Sequence, residues 1–132
     1  MAKFHGLLLV SAVLGLIFML LSGNVARQRF LTRVMIGDGD GQTGAETLRK
    51  AVRAQANFAE YVPLILFLLA GDAFAGASAK WVVWPGIALV LARLSHAAGM
   101  YRPAPNPLRA GGAMLTWAVL ILASLEALYL TF

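Results

Sequence analysis

Long apolar runs are the feature that most constrains this chain. The first run, Leu7 to Leu21, is interrupted only by Ser11 and Gly15. Hydrophobic residues make up 60% of the sequence and charged residues 13%, against roughly 45–50% and about 25% in a soluble domain. A water-soluble fold could not hide so much apolar surface, whereas four spans of about 20 residues fit a chain of this length. The sequence therefore predicts an all-α integral membrane four-helix bundle forming one domain, residues 1–132.

Polar and helix-breaking segments divide the chain into the predicted spans, which cover residues of about 4–26, 44–70, 80–101 and 108–130. Thr43 followed by Glu46 has the capping-box pattern and predicts the start of the second helix. Gly71 is expected to end that helix in a left-handed conformation. The run RPAPNP separates the last two helices. The first span also has the features of a cleavable signal peptide, but the later spans favour retention in the membrane.

Lys and Arg residues are distributed unevenly along the chain. Nine of the 11 lie in two segments, residues 27–53 and 93–109. The positive-inside rule then predicts that the first and third loops are cytoplasmic and both termini are outside, in a bacterial inner membrane. In a chain this apolar, the net charge of +5 indicates contact with anionic membrane lipid and no role in nucleic acid binding.

Metal chemistry is not expected. The chain has no cysteine and therefore no thiolate ligand. The two histidines, His5 and His96, are predicted at opposite sides of the membrane, and no carboxylate pair completes a ligand set. A further acid deep in the fourth helix, Glu126, is expected to form an interhelical hydrogen bond.

The most informative segment runs from Arg53 to Pro63, because it carries polar groups into a membrane helix. At about 100° per residue, one narrow stripe of this helix contains Arg49, Arg53, Asn57 and Glu60. A charge at the bilayer centre costs about 2.5–3.5 kcal/mol on insertion scales, so Arg53 and Glu60 need partners. Their separation of about 10 Å along the helix axis leaves room for a charged ligand. The alternative is a buried ion network that ties helices together.

Further cations are expected at the same depth. Arg93 and His96 share a face of the third helix, which Met100 continues, and Arg109 opens the fourth helix. His96 has two interpretations, an interhelical hydrogen-bonding residue and a ligand-binding residue.

Two runs, RAQANFAEYVPLILFLL and ARLSHAAGMYR, together with the four-span layout, resemble the MAPEG superfamily, the membrane-associated proteins in eicosanoid and glutathione metabolism. The most specific part is the pattern Arg-Ala-x-x-Asn-x-x-Glu-Tyr-x-Pro, which begins at Arg53. The loop run RVMIGDGDG is similar to the bacterial branch, and the chain resembles the microsomal glutathione transferases. The resemblance implies a homotrimer of four-helix subunits with glutathione held in clefts between neighbours.

The resemblance also implies roles for individual residues. Within one subunit, the glutathione-binding positions would be Arg53, Asn57, Glu60, Tyr61 and His96. Arg27 or Arg29, together with Gln55, would reach in from the adjacent subunit. Arg109 matches the arginine that stabilises the glutathione thiolate and is the implied catalytic residue.

Two departures from the family pattern limit what the resemblance implies. Met100 stands where several eukaryotic members have a tyrosine, and neighbouring Tyr101 points about 100° away around a helix. Ala110 and Ala113 lack the hydroxyls of the prostaglandin E synthase branch, which argues against prostaglandin chemistry. Glu60 is present, whereas the non-enzymatic arachidonate-binding branch lacks that acid.

The implied activity is that of a glutathione transferase or peroxidase, with hydrophobic electrophiles or lipid hydroperoxides arriving between the first and fourth helices. One alternative is a small four-span multidrug exporter in which Glu60 exchanges protons for cationic drugs, although the arginines around it disfavour such cations. A third possibility is a non-catalytic lipid-binding trimer.

Overall fold

The computed structural model describes all 132 residues, Met1–Phe132. The chain forms four α-helices and no strands: α1 (Ala2–Thr32), α2 (Glu46–Ala75), α3 (Ala79–Met100) and α4 (Pro107–Tyr129). Each helix is long and apolar enough to cross a membrane. The prediction of an all-α integral membrane bundle is confirmed.

Helices α2 and α3 form the centre of the bundle. Each contacts the three other helices, whereas α1 and α4 do not touch each other. Buried side chains such as Leu14, Ile65 and Leu89 join the helices in one apolar core. Large apolar side chains on the outer faces, among them Leu16 and Phe67, stay exposed. This is the arrangement that a bundle surrounded by lipid requires, because lipid tails are as apolar as the core.

The first helix is longer than predicted. It continues past Ala26 to Thr32 and ends at Arg33, which has a left-handed φ of 59°. The polar residues that follow the apolar run do not break a helix, since Arg and Gln are good helix formers. Arg27 and Arg29 are therefore helical, and the prediction of a loop beginning at Arg27 is wrong.

Both ends of α2 also differ from the prediction. The capping box is wrong, because Ala45 occupies the N-cap position and no side chain caps the helix. A backbone turn precedes the helix instead, with the Ala45 amide donating to the Gln42 carbonyl over 3.2 Å. The predicted stop at Gly71 is wrong as well. The helix continues to Ala75, and the left-handed residue that ends it is Gly76, with φ 112°.

Two glycines allow α3 and α4 to pack closely. A Cβ atom at Gly112 would lie 2.6 Å from both the Ala92 carbonyl oxygen and the His96 amide nitrogen. A Cβ atom at Gly99 would collide with the backbone of Arg109. Small residues at membrane helix contacts let backbones approach in this way. The contact brings the start of α4 against the end of α3, where His96 and Arg109 meet.

Candidate functional site

A polar cavity of about 320 Å³ lies between the N-terminal half of α2, the C-terminal half of α3 and the first turn of α4. Its volume is at the lower end of the roughly 300–1,000 Å³ of small-molecule sites. The residues that line it are Arg53, Ala56, Asn57, Glu60, His96, Met100 and Arg109. Five of these were predicted from the sequence as binding or catalytic residues. The structure therefore brings together, within one chain, groups from three helices.

The α2 side of the cavity has the spacing that the stripe predicted. Arg53, Asn57 and Glu60 follow one another at helical intervals of four and three residues and line the same cavity. Arg49 does not join them. Its Nη1 donates to Asp40 Oδ1 over 2.6 Å in an exposed ion pair with the loop before α2.

The charged groups of the cavity do not neutralise one another. The Arg49–Asp40 pair is the single salt bridge of the whole chain, so the Glu60 carboxylate forms none with Arg53 or Arg109. The cavity thus offers two guanidinium groups, one carboxylate and the His96 imidazole to a ligand. A closed ion network that ties helices together would instead pair these charges inside the protein.

Arg93 does not line the cavity, contrary to the expectation that it lies among the converging cations. It is 2% exposed. Its Nη1 donates to Asn57 Oδ1 over 2.6 Å, and its Nη2 donates to Thr116 Oγ1 over 2.6 Å. Arg93 therefore joins α2, α3 and α4 directly behind the cavity.

Arg109 is held in the wall of the cavity by the first turn of α4. The Asn106 side chain caps this helix by accepting hydrogen bonds from the amides of Leu108 and Arg109, over 2.9 and 3.3 Å. Pro107 occupies the first turn, as is common at helix starts. The N-terminal end of a helix favours negative charge. An anion in the cavity would feel this dipole in addition to the Arg109 guanidinium.

Four predicted site residues lie outside the cavity of the single chain. Tyr61 is half-buried and packs against the apolar core. Gln55 is half-buried and Arg27 is exposed. Arg29 donates through Nη1 to the carbonyls of Val34 and Met35, the latter over 3.0 Å. Their roles in ligand binding remain predictions.

Tyr101 does not take the place of the tyrosine that Met100 replaces. Met100 is buried and lines the cavity. The Tyr101 phenol instead accepts a hydrogen bond from the Asn24 amide of α1 over 2.5 Å. Burial raises the pKa of this phenol above its ordinary value.

Sequence reasoning missed the structural residues behind the cavity. A lone arginine well inside a predicted span needs hydrogen-bond partners, and this signal could have identified a buried role for Arg93. The partner Thr116 was not predicted. Gly99 and Gly112 were also missed, although small residues inside membrane helices are a sign of close contacts.

A second buried charge, Asp72, lies near the other end of α2 and was not singled out from the sequence. It is 1% exposed, and neither of its carboxylate oxygens has a hydrogen-bond partner. The Glu126 charge of α4 repels it. The interhelical hydrogen bond predicted for Glu126 is wrong, because the nearby polar group of α2 is a second acid, Asp72, whose oxygens make no hydrogen bond. About 18 Å of helix axis separates Asp72 from Glu60, so Asp72 does not contribute to the polar cavity.

Comparison with known protein families gives one result. The model of the MAPEG family matches residues 7–129. The chain belongs to the MAPEG family. No curated protein matches it. Members of this family lie in membranes and use glutathione. They include glutathione transferases and peroxidases as well as non-catalytic proteins.

Proposed function

We propose that this chain is a membrane-bound glutathione transferase or peroxidase that acts on hydrophobic electrophiles or lipid hydroperoxides. The observation that carries the proposal is the polar cavity, in which Arg53, Glu60 and Arg109 converge without forming ion pairs with one another. All three side chains are exposed in the single chain and have no ionic partner within it, and charges that lie at membrane depth are costly without partners. A bound zwitterionic anion supplies those partners.

The charge pattern of the cavity matches that of glutathione. Glutathione carries two carboxylates and one ammonium group, and the cavity offers two guanidinium groups and one carboxylate. Arg53 and Asn57 suit an anionic end of the tripeptide, and Glu60 suits the ammonium. Tyr61 and His96 are further binding residues in this proposal.

Arg109 is the proposed catalytic residue. A free thiol titrates near 8.5, and a nearby guanidinium group lowers that pKa by favouring the thiolate. The start of α4 adds its dipole. The activated sulfur then attacks the electrophilic carbon, and the leaving group departs with the bonding electrons.

The proposed assembly is a homotrimer. Helices α1 and α4 do not touch within one chain, so a substrate route between a first and a fourth helix requires two subunits. Arg27 or Arg29, together with Gln55, would then complete the glutathione site from the neighbour. These residues lie outside the cavity of the single chain, which is what a contribution in trans requires.

The proposed setting is a bacterial inner membrane with both termini outside. The polar cavity lies at the end of the bundle that carries the first and third loops, where most Lys and Arg residues are located. The positive-inside rule puts this end in the cytoplasm. A detoxifying enzyme in this orientation meets cytoplasmic glutathione on one side of the cavity and membrane-dissolved substrates on the other.

The test is activity of the purified protein in lipid nanodiscs. Glutathione conjugation is measured with an apolar aryl halide, and glutathione oxidation with a fatty acid hydroperoxide. We expect saturable turnover with at least one of them, and Arg53→Ala should weaken the apparent glutathione affinity. Arg102→Ala is the matched control, because Arg102 belongs to the neighbouring loop and does not line the cavity.

Each alternative function predicts a different experimental result. Glutathione binding without turnover on either substrate would indicate a non-catalytic member. Proton-coupled uptake of cationic drugs by proteoliposomes, without glutathione binding, would support the exporter. Either result would overturn the enzyme proposal.

A further inference from the structure

The Asn57 side chain has a buried charge behind it and the polar cavity in front of it. Arg93 Nη1 approaches its Oδ1 atom to 2.6 Å and the Asn57 carbonyl oxygen to 3.4 Å. Asn57 also lines the cavity, whereas Arg93 does not. A ligand in the cavity can therefore touch Asn57 but not the guanidinium that holds it.

The chemistry of arginine fixes which end of the Asn57 amide faces the cavity. A guanidinium group has five N–H donors and no acceptor. The atom that meets Arg93 must therefore be the amide oxygen, and the Nδ2 donor is the end left for a ligand. Without Arg93, the amide could turn about its last torsion and present its oxygen to the cavity, which would repel an anion.

The guanidinium is itself fixed from the opposite side. Its Nη2 donates to Thr116 Oγ1 over 2.6 Å and to the Gly112 carbonyl over 3.4 Å. The Thr116 hydroxyl donates its own hydrogen bond to the Gly112 carbonyl over 2.8 Å. The lone pairs of its oxygen therefore remain free to accept the hydrogen bond from Arg93. Both Nη atoms are thus engaged before any ligand arrives. Such preorganisation lowers the entropy that binding would otherwise cost.

We propose that Arg93 is a positioning residue that turns Asn57 into a dedicated hydrogen-bond donor for an acceptor oxygen of the bound ligand, a carboxylate or a peptide carbonyl. Arg93 itself never touches the ligand. The inference rests on the proposed function, in which that ligand is glutathione. It goes further by assigning a binding contribution to a residue outside the cavity.

The decisive variant is Asn57→Asp. This change preserves the oxygen that Arg93 holds and replaces the Nδ2 donor with a second acceptor. We expect the variant to fold with at least the thermal stability of the wild type, because Arg93 gains a charged partner. Its affinity for glutathione, measured by calorimetry in nanodiscs, should nevertheless fall below that of Asn57→Ala. Wild-type affinity in Asn57→Asp would overturn the proposal.

A double-mutant cycle separates positioning from mere stability. Arg93→Met and Asn57→Ala should each weaken glutathione binding about 10- to 100-fold, the range of hydrogen bonds to charged groups. The double variant should bind no more weakly than Asn57→Ala, because Arg93 acts through Asn57. Arg93→Lys, which keeps a cationic donor group but lacks the two Nη atoms that bind Asn57 and Thr116 together, should restore part of the affinity and serves if Arg93→Met does not fold. Additive losses would overturn the proposal.

A matched control accounts for general loosening of the bundle. Leu69→Ala removes a fully buried core side chain in the other half of α2, and it should lower the melting temperature while leaving glutathione affinity unchanged. An equal loss of affinity in Leu69→Ala would mean that stability alone explains the Arg93 variants, and the inference would fail. Wild-type protein that binds no glutathione would overturn the proposed function as well, so the two failures are distinguishable.

Discussion

The two ends of the bundle differ in whether a buried charged side chain has hydrogen-bond partners. At the cavity end, the Arg93 guanidinium is 2% exposed and donates hydrogen bonds to groups of α2 and α4, so that only its Nε lacks a partner. At the far end, the Asp72 carboxylate is 1% exposed, has no hydrogen bond to either oxygen and is repelled by Glu126.

Burial alone therefore does not identify a functional charge. A charge whose hydrogen bonds are supplied by several helices can hold a neighbouring group in a defined orientation, as Arg93 does for Asn57. A charge without partners only lowers the stability of the bundle. We therefore expect variants at the cavity end to impair ligand chemistry, and variants at the Asp72 end to change stability alone.

The largest effect is expected for Arg109→Ala. Removing the guanidinium nearest the proposed sulfur position should lower kcat for conjugation about 100-fold, the loss typical when one group that stabilises reacting charge is removed. Steady-state kinetics in nanodiscs measures it, with Arg102→Ala as the control. Wild-type kcat in Arg109→Ala would remove Arg109 from the mechanism.

The second largest effect is expected at the close contact of α3 with α4. Gly112→Ala should lower the stability of the bundle by about 1–3 kcal/mol, the cost of overpacking, because the new methyl group meets backbone atoms that cannot yield. Gly111→Ala is the matched control, since a Cβ atom there meets nothing within 4 Å. Thermal unfolding in detergent compares the two. Similar melting temperatures would show that this contact does not limit α3–α4 packing.

At the far end of the bundle, we expect a substitution to increase the stability of the protein rather than lower it. Asp72→Val replaces an unpartnered buried carboxylate with an apolar group of similar size and should stabilise the protein by about 1–2 kcal/mol. Glutathione turnover should stay at the wild-type level, because Asp72 lies about 18 Å from Glu60 along α2. Thermal unfolding and kinetics on the same preparation measure both quantities. A loss of turnover without a loss of stability would show that Asp72 contributes to ligand chemistry as well.

The smallest effect is expected at the exposed ion pair before α2. Arg49 and Asp40 have side chains that are 45% and 79% exposed, and such surface pairs contribute about 0–1 kcal/mol. Arg49→Ala should therefore change the melting temperature little and leave glutathione affinity unchanged. A strong loss of affinity would show that Arg49 binds the ligand together with Arg53, Asn57 and Glu60.

The fold and the α2 stripe could be predicted from the sequence because both are periodic properties of single helices. Apolar runs of sufficient length define the spans, and a fixed rotation per residue aligns Arg53, Asn57 and Glu60. Helix ends were less predictable. Gly71 and Gly76 look alike in sequence, but only the packing of α2 decides which glycine becomes left-handed.

The role of Arg93 could not be predicted because it depends on three helices at once. Its distance from Thr116 is set by how closely α3 and α4 approach, which Gly112 controls through backbone contacts. Its distance from Asn57 is set by the packing of α2 against α3. Residues predicted to act from a neighbouring subunit, such as Gln55, depend on an assembly beyond the single chain. For them, the resemblance to the family remains the source of the prediction.

Ultraviolet difference spectroscopy can show whether the cavity holds glutathione as its thiolate, because a thiolate absorbs where a thiol does not. At a pH below the free thiol value of about 8.5, adding glutathione to the nanodisc-embedded protein should give a saturable rise in absorbance. The rise should be absent with S-methylglutathione and strongly reduced in Arg109→Ala. Saturable glutathione binding with no thiolate signal in the wild type would show that the cavity does not stabilise the thiolate.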